Sequence, residues 1–194
     1  MLACRHRCLL SLPLLLACAL TIRAETVSFN RDVMAVLSKG GCNQGTCHGN
    51  LNGKGGFKLS LRGEDPSADF IALSRDQNGR RLNRFRPAES LLLQKPTSAL
   101  PHEGGVRFKK DDPEYRILRD WIEQGMPADP ADLPRLVRIE VICPDKILVD
   151  PVDSVRLTVK AHFADGAQRD VTRLTVYERP NSGCPSWGPA SSRC

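Results

Sequence analysis

Cys42, Cys47 and His48 put two thiols and an imidazole within one short run, Cys42-Asn43-Gln44-Gly45-Thr46-Cys47-His48. Two such sulfurs can bond covalently to the vinyl groups of a haem. A histidine directly after the second can ligate the iron from the proximal side. The usual attachment spacing is C-x-x-C-H, whereas this chain has C-x4-C-H, so Gly45 and Thr46 must bulge outward. Glycine makes such a bulge sterically cheap. Two alternatives use the same atoms. A Cys42–Cys47 disulfide can close across the gap in an oxidising compartment, leaving His48 an ordinary side chain. Zinc could take Cys42, Cys47 and His48, with His102 as a fourth ligand.

Other motifs are weaker. A phosphate-binding loop needs four residues between its first glycine and Gly-Lys, followed by Ser or Thr. Here Gly49 to Gly53 leaves fewer, and Gly55 follows Lys54, so this stretch is expected to be a flexible loop. No Ser-His-Asp arrangement, HExxH motif or paired-carboxylate site is present, and Asp111-Asp112 suits helix capping. The pattern fits an electron carrier or binding domain rather than a catalyst.

The N-terminus sets the compartment. Arg5, His6 and Arg7 form a basic start, and residues 9–20 are almost wholly apolar. That run matches a signal peptide over 1–24 and is too short to span a bilayer. Cleavage after Ala24 fits, and Leu15-Leu16-Ala17-Cys18 offers a lipobox-like alternative. Either way the mature chain is exported, to the periplasm or the cell surface. Of the eight cysteines, Cys4, Cys8 and Cys18 fall in the leader, leaving Cys42, Cys47, Cys143, Cys184 and Cys194. An odd number suits a pure disulfide framework poorly. Arg5, Arg7 and Arg23 supply three of the net +6 charges, so the mature chain is near +3. That is too mild for a nucleic-acid partner, and Arg80, Arg81, Arg84 and Arg86 are expected to be a solvated face. No second apolar run is long enough for a transmembrane segment.

Two kinds of element must position these groups. Before residue 134 the signals are helical. Asn30 as N-cap and Asp32 in the first turn predict a helix over 31–38, with Val33, Val36 and Leu37 inward and Gly40-Gly41 as its stop. Asp65-Pro66 starts a second helix, burying Phe70 and Leu73. A third, shorter helix begins at Pro87. Asp112-Pro113 opens a fourth, with Tyr115, Leu118, Trp121 and Ile122 inward and Gly125 at its end. After 134 the period becomes two. Val155, Leu157, Val159, Ala161 and Phe163 alternate with polar residues, His162 among them on the solvated face. Asp165-Gly166 turns the chain, 171–177 returns, and 136–142 and 147–149 add further strands. Four strands fall short of a sandwich of roughly seven. Residues 179–194 have neither period and form an irregular tail foreign to the β-domain.

Residues 28–127 resemble the planctomycete-type cytochrome c-like domains. The likeness rests on the Cys42/Cys47-His48 site, Gly55-Gly56-Phe57, Pro87-x-x-Ser90-Leu91-Leu92, Pro101-His102-Glu103-Gly104-Gly105 and Trp121-Ile122-x-x-Gly125, in that order. Residues 137–177 resemble the start of a bacterial Ig-like group 2 domain, through the Asp165–Thr172 run after an alternating strand. The resemblance implies α + β in two domains: a small, mainly α cytochrome c-like haem domain over 26–133, and an incomplete all-β Ig-like sandwich over 137–178. It implies covalent haem c, with iron held by His48 and one-electron transfer to an unspecified redox partner protein. In the related domains a Met-Pro segment supplies the distal ligand. Here Leu100 takes the methionine's place and has no donor atom, so His102 becomes the candidate, with Met126 a further option after the closing helix. The competing expectation is a haem-free envelope or cell-surface interaction protein, with a Cys42–Cys47 disulfide and an adhesive Ig-like module.

Overall fold

The first helix starts at Ser28, because two side chains there close a reciprocal cap. Ser28 Oγ accepts from Arg31 N at 3.0 Å, and Ser28 N donates to Asp32 Oδ2 at 2.9 Å. Asn30, the expected cap, lies inside the first turn instead. The structure is a computed structural model and describes residues 26–143 and 154–178. The leader expected over 1–24, the strand expected at 147–149 and the tail with Cys184 and Cys194 lie outside the described residues. A π-helical turn, Phe29–Val33, runs into helix α1, Met34–Lys39. Helices α2 (Pro66–Ser74), α3 (Leu91–Gln94) and α4 (Pro113–Glu123) follow. The sheet is β1 (Leu136–Ile142), β2 (Thr158–Phe163) and β3 (Gln168–Asp170). It is antiparallel, in the order β1-β2-β3. The chain is thus α+β.

Helix ends follow the expected chemistry in most places. Asp65 caps α2 through Ala68 N at 2.9 Å, with Pro66 at its first position. Asp112 stands before α4, but its carboxylate accepts from Lys109 N at 2.7 Å and caps the preceding turn. Both α1 and α4 stop in a Schellman turn. Gly41 and Gly125 take positive φ, and the residues after them, Cys42 and Met126, donate back to Leu37 and Trp121 at 2.8 and 2.9 Å. The helix expected from Pro87 is broken at Ser90, whose extended backbone separates a 3₁₀ turn, Pro87–Glu89, from α3.

The helices close over an aromatic centre. Phe29 meets Phe70 edge-on at 5.1 Å and Trp121 at 5.4 Å, joining the first turn to α2 and α4. Trp121 is wholly buried and satisfies its indole N–H on the Pro127 carbonyl at 3.1 Å. Val33, Val36, Leu37, Leu73, Leu118 and Ile122 complete the expected inward faces.

The strand β2 alternates as its sequence predicts, with Val159, Ala161 and Phe163 buried. Its partner begins earlier than 171. The turn at Asp165-Gly166 is tight enough for pairing to resume at Gln168, with Phe163 N on Ala167 O at 2.9 Å. The strand then ends because Asp170 Oδ1 accepts from Thr172 N at 2.9 Å, an Asx turn. His162 is not merely solvated: its ring meets Glu140 on β1 at 2.7 Å. The sheet sits against the first helical turn. Arg31 stacks its guanidinium over Phe163 at 4.1 Å, Arg169 pairs with buried Asp32 at 2.6 Å, and Leu174 packs on the helical core.

Candidate functional site

The Schellman end of α1 aims Cys42 at a cleft of about 260 Å³, which Leu37, Cys47, His48, Leu73, Leu92 and His102 also line. The loop after Cys42 closes on itself. His48 N donates to Cys42 O at 2.9 Å, while Cys47 N and Gly49 N both reach Gln44 O, at 2.9 and 3.0 Å. Gln44, Gly45 and Thr46 are exposed, so the surplus residues do loop outward. The glycine that permits this is not Gly45, which has ordinary φ and where a Cβ would meet only Leu61 Cδ1, at 3.8 Å. It is Gly49, where a Cβ would stand 2.0 Å from the Asn43 carbonyl oxygen. Asn43 is itself buried and tied to Ser38 Oγ at 2.8 Å, so it cannot give way.

The glycine-rich stretch reverses in a hydrogen-bonded turn. Gly55 and Gly56 both take positive φ in a two-residue turn, closed by Lys54 and Phe57 at 2.9 and 3.0 Å. This turn presents the Phe57 carbonyl to His48. A carbonyl only accepts, so His48 Nδ1 carries the proton and donates at 3.0 Å. Burial lowers the His48 pKa. The carbonyls of Phe57 and Lys54 oppose that shift, while His102 and Arg81 add to it. The ring is therefore neutral at pH 7, with Nε2 as its lone-pair donor.

His102 is built the same way. Gly105 N donates to His102 O, and His102 Nδ1 donates back to Gly105 O, both at 2.9 Å. Gly104 leaves room for the ring: a Cβ there would lie 2.8 Å from His102 Cε1. The two imidazoles are nearly parallel, 12° apart, with centroids 6.5 Å apart. Two imidazoles whose Nε2 atoms face each other across one metal would have centres about 6.4 Å apart, from a metal–nitrogen bond of about 2 Å and a ring radius of roughly 1.2 Å on each side. Each ring is also oriented by its other nitrogen on a backbone carbonyl, the usual support for a metal-ligating histidine. Among the described residues no group of three or more His, Cys, Asp or Glu side chains could hold a metal ion. The four-ligand zinc set is therefore not assembled.

Both thiols are unbridged. Burial, with a smaller contribution from nearby Cys47, pushes the Cys42 thiol up to about 11 against a lowering by Arg107. Arg107 Nη2 lies 3.6 Å from Cys47 Sγ. Met126 packs against the hydrophobic core and does not line the cleft, and neither does Leu100.

Several residues of the site carry no sequence signal of their own. Arg81 is not part of a solvated face. It is buried, lies 4.6 Å over the Phe57 ring and donates to the carbonyls of Gly56, Ala72 and Asp76. Burial lowers its pKa, partly opposed by Asp76. Arg80, Lys54 and Lys95 give the mouth a cationic rim, relieved by Glu103 at 3.8 Å from Lys54. No family model, curated protein or solved structure matches this chain. No helix among the described residues is long and apolar enough to cross a membrane.

Proposed function

We propose that this chain is an exported c-type haem protein that carries single electrons. The observation that carries the proposal is the pair of imidazoles, each fixed by Nδ1 on a backbone carbonyl and set 6.5 Å apart in near-parallel planes. His48 would be the proximal ligand and His102 the distal one, with Cys42 and Cys47 as thioether anchors at one edge of the cleft. Haem c would supply a reversible one-electron couple at its iron, at a lower potential with two imidazoles than with His and Met.

The chain's own groups suit that role. Phe57 and Gly105 hold the tautomers, and Leu37, Leu73 and Leu92 wall the cleft against water. Lys54, Arg80 and Lys95 offer countercharge for the carboxylates of a bound porphyrin. The high pKa of Cys42 keeps it a thiol at pH 7, which slows attack on other sulfurs. In this proposal residues 26–133 form the cytochrome c-like domain and 137–178 an Ig-like spacer or adhesive module at the envelope, with a redox partner protein outside.

The test is expression with a c-type maturation system, followed by the reduced visible spectrum and the mass of the peptide spanning residues 42–48. A sharp α-band and a macrocycle on both sulfurs are expected, with the low-spin signature lost in His102→Ala. A colourless chain with Cys42 bridged to Cys47 would replace the proposal with a haem-free surface interaction protein.

A further inference from the structure

The strand β1 forms an edge of the described sheet and leaves its apolar side chains in solvent. Val137, Ile139 and Val141 are each more than half exposed, and Leu136 and Ile142 are exposed to 49% and 41%. Its other face carries Arg138 and Glu140, on either side of Ile139. An open edge is a template for another strand unless charges or bulges block it. A bulge at Val137 does interrupt the pairing with β2, but the stretch from Arg138 to Ile142 is regular.

We infer that this edge pairs with the same edge of a second copy, antiparallel about a two-fold axis through Ile139. In that register Arg138 of each copy faces Glu140 of the other, Ile139 faces Ile139, and Val137 faces Val141. Every cross-strand pair is then either opposite in charge or apolar. Other registers fail. A shift of one residue sets polar side chains against apolar ones. The next symmetric registers in either direction bring Arg138 against Arg138 or Glu140 against Glu140. The charges that repel an arbitrary strand thus select a second copy of this one. The contact is isologous, so it closes as a dimer rather than growing into a fibre. Within one chain Arg138 already lies 3.5 Å from Glu140 and 3.0 Å from the His162 ring, which Glu140 meets at 2.7 Å; both stay half-exposed, at 57% and 39%, so the dimer extends an existing ion pair across the axis. A single strand pair buries little area, so the dimer is weak and concentration-dependent.

The test is sedimentation equilibrium of the full chain over a wide concentration range, with circular dichroism to confirm folding. Arg138→Glu and Glu140→Arg each place like charges opposite one another twice. Each should weaken self-association by more than about tenfold, or about 1.4 kcal/mol. A mixture of the two variants restores opposite charges at both positions and should form a heterodimer. The double variant R138E/E140R should regain the homodimer. If Glu140→Arg fails to fold beside Lys160, Ile139→Lys, which sets two ammonium groups at the axis, takes its place and should be monomeric. A wild-type chain that stays monomeric throughout overturns the proposal. So do folded single variants that associate as well as the wild type, or a folded mixture that stays monomeric.

Discussion

Raising the pH should destabilise the metal-free, reduced protein through Cys42. Its thiol pKa rises from 9.0 in the open chain to about 11 in the fold, chiefly by burial. Below pH 9 both states hold the proton and the site adds no pH dependence. Between pH 9 and 11 the unfolded chain releases it while the fold retains it, so stability falls across that window. Two units at about 1.4 kcal/mol each give roughly 3 kcal/mol. With a urea m-value of about 2 kcal/mol per molar, the unfolding midpoint drops by roughly 1.5 M. The assay is urea unfolding at pH 8, 9, 10 and 11, run on the reduced protein and on Cys42→Ala. Every other ionisable group is common to both proteins, so the difference between the two curves isolates Cys42. Thioether attachment or a disulfide removes the titrating proton and should abolish that difference. Parallel loss of stability in the reduced wild type and in Cys42→Ala would refute the burial argument.

Three further outcomes follow from single contacts. Gly49→Ala sets a Cβ 2.0 Å from a backbone oxygen held by buried Asn43, and should cost at least about 3 kcal/mol in chemical denaturation. Trp121→Ala empties the site where Phe29 and Phe70 meet, and should cost about 3–5 kcal/mol by the same measurement. Asp129→Ala strips acceptors from Phe29 N and Asn30 N, at 3.2 and 2.7 Å, and should lower stability by about 1–2 kcal/mol while leaving the far-UV spectrum unchanged.

The helices were legible where caps and periodicity agree. Asp65-Pro66, the inward Leu118–Trp121–Ile122 face and the Gly41 and Gly125 stops all follow from local rules. Ser28 displaced Asn30 as the cap because Asp32 reaches back to its amide, a contact that spacing alone ranks no higher than the alternative. β3 moved forward because turn chemistry at Asp165-Gly166 and at Asp170 outweighs the apolar pattern of 171–177. Within the site, Cys42, Cys47, His48 and His102 were named from their order, and the fold brings all four to one cleft. Arg81, Phe57 and Arg107 were not legible. Arg81 looks like part of a charge run until carbonyls from the Gly55-Gly56 turn, from helix α2 and from the turn after it converge on its guanidinium, and such convergence has no signature in spacing alone.

The same turns that shape the cleft also decide its chemistry. Gly55 and Gly56 let the chain reverse so that the Phe57 carbonyl fixes His48, and Gly104 and Gly105 let a second reversal fix His102. A histidine on a regular helix could swing between rotamers, whereas these two rings are each held by a carbonyl within a short turn. Gly104→Ala tests that dependence on its own. Its Cβ would meet the His102 ring at 2.8 Å and the end of the flexible Arg107 side chain at 3.1 Å. If His102 is the distal ligand, the variant should still attach haem yet lose its low-spin spectrum. An unchanged spectrum would exclude His102 from the iron while leaving the thioether site intact.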